Sequence, residues 1–161
     1  ICLIESLNAI ADEYKLPIIF STHPRTRKNL TKLKGLQINK LIRFVKPLGF
    51  FDYVFLEKNA KCTLSDSGTI TEESSILKFP AVTIRNQHER PEGMDEGTLI
   101  MCGLGKERVL SAVKTIILQF GEDANAIKTV KDYDVDNVSK KVVRIILSYT
   151  DYVNQKVWNK V

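Results

Sequence analysis

Between Leu64 and Gly93 the chain reads LSDSGTITEESSILKFPAVTIRNQHERPEG. Small polar residues surround one glycine at Asp66, Ser67, Gly68 and Thr69. Two adjacent glutamates follow at Glu72 and Glu73, and a loop dense in charge brings Arg85, His88, Glu89 and Arg90. Such a set suits an anion. A helix that opens behind Gly68 presents N–H groups without helical partners and a partial positive charge, which together hold phosphate well. Gly68 admits the anion with no Cβ in the way, and Ser67 adds a hydroxyl. The motif is neither GxGxxG nor a Walker loop.

The two glutamates read differently. Thr69-x-x-Glu72 has the spacing of a capping box, with Thr69 as N-cap and Glu72 reaching back to it. Capping does not need Glu73. Helical side chains lean toward the N-terminus, so the Glu73 carboxylate is expected beside the phosphate position, where it suits the hydroxyls of a ribose diol. A solvated surface glutamate is the plain alternative. Arg90 precedes Pro91, which favours an extended backbone, and its guanidinium suits a diphosphate. Arg85 and Glu89 read as an internal ion pair.

The elements around these residues follow from periodicity. ESLNAIADEYK places Leu7, Ile10, Ala11 and Tyr14 at helical spacing. LPIIFST, NKLIRFVKP, KCTLSD, PAVTI and TLIMCG are short strand candidates. GFFDYVFLEKNA, TITEESSILKF and KERVLSAVKTIILQF read as helices, and NVSKKVVRIILSYTDYVNQKVW as a long closing helix. Short apolar strands separated by helices indicate a parallel sheet buried on both faces, an α/β Rossmann-like layering of three layers. In such sheets ligands sit at the carboxyl ends of strands. Ser65–Thr69 and Arg85–Arg90 both follow strands.

Composition sets the outer bounds. The chain has 161 residues, 43% hydrophobic and 27% charged, which suits one soluble domain with a sizeable core. No apolar run approaches the roughly 20 residues of a membrane span. Residues 1–10 lack a leader's basic start and small-residue cleavage site. Cys2, Cys62 and Cys102 are an odd number without CxxC spacing, so a reducing cytoplasm is expected, without a disulfide framework or a zinc site. The net charge of +5 is compatible with an anionic partner. The stretch HPRTRKNLTKLKG (23–35) is rich in Lys and Arg and holds no acid. It reads as a solvated face or as a surface for phosphate. Without aromatic interleaving or a binding motif, nucleic acid is not expected. The chain does not begin with Met and opens inside a helical pattern, so a piece of a longer protein is expected.

These residues carry a resemblance. SDSGTITEESSILKFPAVTIRNQHERPEGMDEGT resembles the signature region of the non-hydrolysing UDP-N-acetylglucosamine 2-epimerases, whose pattern runs DSGG-x-x-EE, then a Pro-led strand, then R-x-x-x-ERPE and Gly-Thr. Upstream, STHPRT resembles the family's strand-end His loop, and PLGFFDY its Pro-x-x-aromatic segment. The likeness covers about Pro17 to Gly103. The closing helix also resembles the bacterial branch that works on 6-deoxy sugars for capsule or surface polysaccharide. One departure is Thr69, where many members have a second glycine.

The resemblance implies one half of a GT-B arrangement: residues 1–161 as the C-terminal UDP-binding domain, with the N-terminal domain and its acid/base carboxylates outside this chain. No catalytic residue is then expected here. Ser67, Gly68 and Thr69 would hold the diphosphate, Glu73 the ribose and Arg90 the diphosphate or sugar. Tyr53 would lie against the uracil, and His23 would touch substrate, a regulatory nucleotide sugar or nothing. The implied reaction inverts C2 of a UDP-N-acetylhexosamine, by elimination of UDP to a 2-acetamidoglycal and re-addition, with no metal or nicotinamide cofactor, in a cytoplasmic homodimer. A GT-B glycosyltransferase, a hydrolysing epimerase and a pure binding module are the alternatives.

Overall fold

The computed structural model describes residues 2–30, 35, 37–123 and 127–160. It divides into two compact units, Ile1–Val130 and Lys131–Val161.

The first unit begins with α1 (Cys2–Tyr14). Its stripe Ile4, Leu7, Ile10 and Ala11 is buried, as the spacing requires. Lys15 stops the helix in the left-handed region at φ 53°, its N–H bonded to the Ala11 carbonyl, and Pro17 follows as it commonly does after such a stop. Two parallel strands come next in space, β1 (Ile18–Ser21) and β2 (Ile42–Val45), with Ile18 opposite Ile42 and Ser21 opposite Val45. Between them in sequence lies α2 (Pro24–Leu30).

The second set of strands carries the candidate site. After α3 (Phe50–Asn59) come β3 (Thr63–Ser65), α4 (Ile70–Leu77), β4 (Ala81–Thr83), the one-turn α5 (Pro91–Asp95), β5 (Ile100–Met101) and α6 (Lys106–Glu122). The strand order is β3–β4–β5, all parallel, with Ser65 opposite Thr83 and Thr83 opposite Met101. This register ends β3 and β4 side by side. The loops that leave them, 66–69 and 84–90, therefore emerge at one sheet edge.

Burial is uneven between the two sets. Ala81, Val82 and Thr83 of the central β4 are all buried, because α6 and α4 pack against that strand. Val82 sits in a core with Ile10, Val109, Val113 and Ile116, each such side chain contributing about 1.5–3 kcal/mol. The expectation of burial on both faces holds there and fails at β1. Ile18 and Phe20 pack on α1 with Ile4 and Leu7, whereas Ile19 points the other way and is 41% exposed. The five expected strands form, but as a pair and a trio.

Lys78 closes α4 in the left-handed region at φ 57°, which costs a non-glycine residue about 1–2 kcal/mol. Its ammonium donates to the Ile127 carbonyl at 2.8 Å, and the Val130 N–H donates to Ser75 Oγ at 2.9 Å. These two bonds pin the segment after α6 against α4.

The second unit is α7 (Val138–Tyr152), continued by a π-helical turn, Val153–Val157. It is the expected closing helix. None of its residues is buried, and Ile145, Ile146 and Leu147 stand exposed.

Candidate functional site

The loop from β3 to α4 folds on its own hydroxyls. The Ser67 N–H donates to Ser65 Oγ at 3.1 Å, and the Thr69 N–H donates to Ser67 Oγ at 3.3 Å. The Ser67 and Thr69 hydroxyls lie 2.9 Å apart. Two of the N–H groups expected to face a diphosphate are thus engaged within the loop. Donors toward a ligand must come from the hydroxyls, from Gly68 and from the first N–H groups of α4 other than those of Thr71 and Glu73, which bond the Gly68 and Thr69 carbonyls.

The capping box does not form. Thr69 sits in the right-handed helical region at φ −66° and ψ −16°, and its side chain makes no cap hydrogen bond. Glu72 turns elsewhere: Arg90 Nε donates to Glu72 Oε1 at 2.6 Å. A guanidinium is a better partner for a carboxylate than a lone backbone N–H, because the bond is charge-assisted. The register of β3 and β4 brings that guanidinium within reach.

Arg90 is held from several sides. Its backbone stands at φ −132° and ψ 76°, outside the helical region that a following proline disfavours, with Pro91 as the first residue of α5. Glu89 Oε2 lies 3.4 Å from Arg90 Nη1, and Glu89 also pairs with Arg85 at 2.9 Å, the ion pair expected from sequence. The Arg85 guanidinium, with a smaller contribution from Arg90, holds the Glu89 carboxyl below the usual range. A Cβ built on Gly68 would stand 2.7 Å from Arg90 Nη1. Glycine is therefore needed at 68 to let the guanidinium lie flat against the loop. A shallow cavity opens here between Ser67, Gly68, Thr83, Arg85 and Arg90.

Glu73 reaches back as expected, to the neighbourhood of Thr69. Burial raises its carboxyl pKa and the Glu72 charge adds to the rise, while the Thr69 hydroxyl and Glu57 oppose it. Glu57 is the residue that sequence reasoning missed. It lies on α3, is 3% exposed, and both of its carboxyl oxygens are buried without a hydrogen-bond partner. Burial pushes its pKa up to about 7; the Glu73 charge contributes, and the Tyr53 hydroxyl nearby acts the other way. Tyr53, one turn earlier, is itself raised by burial, by Glu57 and by the charges of Glu73 and Asp66. The one signal in the sequence was the four-residue spacing of Tyr53 and Glu57, which puts them on one helix face.

The structure thus brings Ser67, Gly68, Thr69, Glu73, Arg90 and Tyr53 to one region. His23 stands exposed at the carboxyl end of β1, in the other pair of strands. The basic stretch forms α2 over part of its length, and 31–34 lie outside the described residues. Among the described residues no cluster of His, Cys, Asp and Glu could hold a metal ion, and no helix is long and apolar enough to cross a membrane.

Parallel strands, a glycine at the mouth of a helix and an arginine held above it define a Rossmann-like α/β unit with a candidate site at its strand ends. Comparison with known proteins gives the family. Residues 2–147 match the family described as UDP-N-acetylglucosamine 2-epimerase, and the chain belongs to it. A Methanocaldococcus jannaschii protein named UDP-N-acetylglucosamine 2-epimerase is 40% identical over 118 residues, covering 71% of this chain and 32% of that protein. The structure of UDP-N-acetylglucosamine 2-epimerase from Rickettsia bellii superposes with a TM-score of 0.81 at 54% identity, over 98% of this chain and 44% of that one. The M. jannaschii enzyme solved in complex with UDP-GlcNAc and UDP gives 0.75 at 35% identity, over 91% and 40%. The chain therefore spans under half the length of these relatives.

Proposed function

We propose that this chain is the UDP-holding domain of a UDP-N-acetylhexosamine 2-epimerase with a GT-B arrangement. The observation that carries the reading is the Arg90 guanidinium clasped by Glu72 above Gly68, at the mouth of α4, with Glu73 a few residues further on. A nucleoside diphosphate presents phosphate and ribose as neighbouring groups. Arg90, the Ser67 and Thr69 hydroxyls and the helix start take the diphosphate. The Glu73 carboxylate accepts from the ribose diol, and Tyr53 lies toward the base.

The chemistry follows from holding a leaving group. Inversion at C2 proceeds by loss of UDP across C1–C2 to a 2-acetamidoglycal and by its return. A fixed guanidinium and oriented N–H dipoles stabilise the charge that develops on departing UDP without reorganising. Keeping UDP in place makes the return effectively unimolecular. The groups that move protons at the sugar belong to the N-terminal domain, outside this chain. Capsule or surface-polysaccharide synthesis in the cytoplasm, by a homodimeric full-length enzyme, fits this assignment.

The test is a titration of the chain with UDP followed by amide NMR. The amides of Ser67–Ile70 and Arg90 move first, and binding weakens with salt because phosphate charge drives it. The chain alone produces no isomerised UDP-sugar. Shifts confined to 23–35, or turnover by this chain alone, overturn the reading.

A further inference from the structure

The pair Glu57 and Glu73 has a feature that UDP binding alone does not explain. Both carboxyl oxygens of Glu57 and Oε2 of Glu73 are buried without a partner, although the two groups are neighbours across α3 and α4. As ions, two carboxylates are acceptors only, and like charges so close do not both persist in a buried setting. A single proton resolves the conflict. It makes one group a donor and the other its acceptor.

We propose that Glu57 is a positioning residue, a neutral buried acid that donates its hydrogen bond to Glu73 and aims the Glu73 carboxylate at the ribose diol. This rests on the reading of Glu73 as the ribose acceptor. Glu57 keeps the proton because it is the more buried of the two, 3% exposed against the half-buried Glu73. Of the groups around the pair, the Tyr53 hydroxyl favours an ionised Glu57 and opposes the effect of its burial, while Thr69 favours the ionised Glu73. From α3 the Tyr53 hydroxyl stands beside Glu57. From α4 and its entry loop, Thr69 and the charge of Glu72 act on Glu73. Asp66 acts on Tyr53. The charges named are negative, and each disfavours a second ionised carboxylate. Arg90 is engaged by Glu72 and Glu89 on the phosphate side.

The arrangement predicts a window of pH. Below it Glu73 is protonated and loses its acceptor role. Above about 7, where Glu57 ionises, two charges repel and the ribose acceptor is pushed out of place.

The experiment follows carboxyl carbon NMR of the ligand-free chain between about pH 5 and 9, then UDP affinity across the same range. Glu57 and Glu73 titrate as a coupled pair in two steps, and UDP affinity falls about tenfold as the upper step is crossed. Glu57→Gln keeps a donor that cannot ionise, so affinity near pH 6 stays within about twofold of the parent and the upper limb disappears. Glu57→Leu removes the donor, weakens UDP about tenfold throughout the range, and leaves Glu73 titrating in one step. Independent titrations in the parent chain, or a pH profile unchanged in Glu57→Gln, overturn the positioning role even if Glu57→Leu does not fold. A separate arm uses Glu73→Ala. If it leaves UDP affinity intact, the ribose reading itself fails, whereas the carboxyl titration still decides whether the pair shares a proton.

Discussion

Arg90 donates from Nε to Glu72 Oε1 at 2.6 Å, a bond that joins the entry of α5 to the first turn of α4 across 18 positions of sequence. It leaves the guanidinium face lying on Gly68. Glu72 thus acts on Arg90 rather than on the helix end. Both side chains are about 30% exposed, so solvent screens part of the interaction. Glu72→Ala is expected to lower UDP affinity about tenfold and stability by about 1 kcal/mol. Glu72→Gln, which still accepts a hydrogen bond, recovers part of the affinity. Calorimetric titration with UDP, paired with thermal melts, reads both. A Glu72→Ala chain with parental UDP affinity and a lower melting temperature would mean that Arg90 needs no orienting partner.

Gly68 tests the same contact from the other side. A Cβ there meets Arg90 Nη1 at 2.7 Å, and the obstacle is the end of a flexible side chain rather than backbone. Gly68→Ala therefore folds with little change in melting temperature, but Arg90 must leave its seat. UDP affinity falls about tenfold, the equivalent of one good hydrogen bond to a charged group. The comparison that decides is with Arg90→Ala: if Arg90 is the reason for the loss, adding Gly68→Ala to Arg90→Ala costs little more.

Glu57 makes stability depend on pH in a definite direction. Its carboxyl has an ordinary value of 4.5 and is pushed up to about 7 in the fold. The folded chain holds this proton more tightly than the unfolded one. The contribution to stability is complete below about 4.5 and is lost as pH rises through about 7. Glu73 is also raised and acts in the same direction. Glu89 is lowered and matters only in acid. The melting temperature of the parent chain therefore falls from about pH 5 to 8, and Glu57→Gln flattens that slope. Parallel slopes for the two chains would show that Glu57 is solvated in solution.

Much of this was legible in the sequence, and for identifiable reasons. Apolar periodicity located the strands and most of the helices, since burial dictates spacing. The DSG and ERPE segments come together as a candidate site because they follow strands that end at one edge. The role of Glu72 was not legible. Its spacing from Thr69 satisfies the local rule for a cap, and only the register of Ser65 against Thr83 brings in a stronger partner from 18 residues away. Glu57 was hidden for a similar reason: in sequence it is one polar residue in a half-apolar helix, and its burial depends on how α3 packs. The exposure of Ile19 could not be read from an apolar run that looks buried on both faces.

The sharpest expectation concerns Glu73, because it separates ribose from phosphate. Glu73→Ala removes a half-buried carboxylate that makes no ion pair among the described residues, and relief of its buried charge offsets the acceptor that Glu57 loses, so melting near neutral pH changes little. UDP affinity falls by about 1.5–3 kcal/mol, the usual worth of hydrogen bonds to a charged acceptor. Inorganic pyrophosphate has no ribose, so its affinity stays the same or improves slightly as a negative charge leaves the neighbourhood of the anion. Glu72→Ala gives the opposite ligand pattern. It disturbs Arg90, so pyrophosphate and UDP weaken together. Adjacent residues on one helix turn are thereby assigned by two ligands and one assay. Equal losses of UDP and pyrophosphate in Glu73→Ala would place this carboxylate in the support of the phosphate loop and leave the ribose to another group.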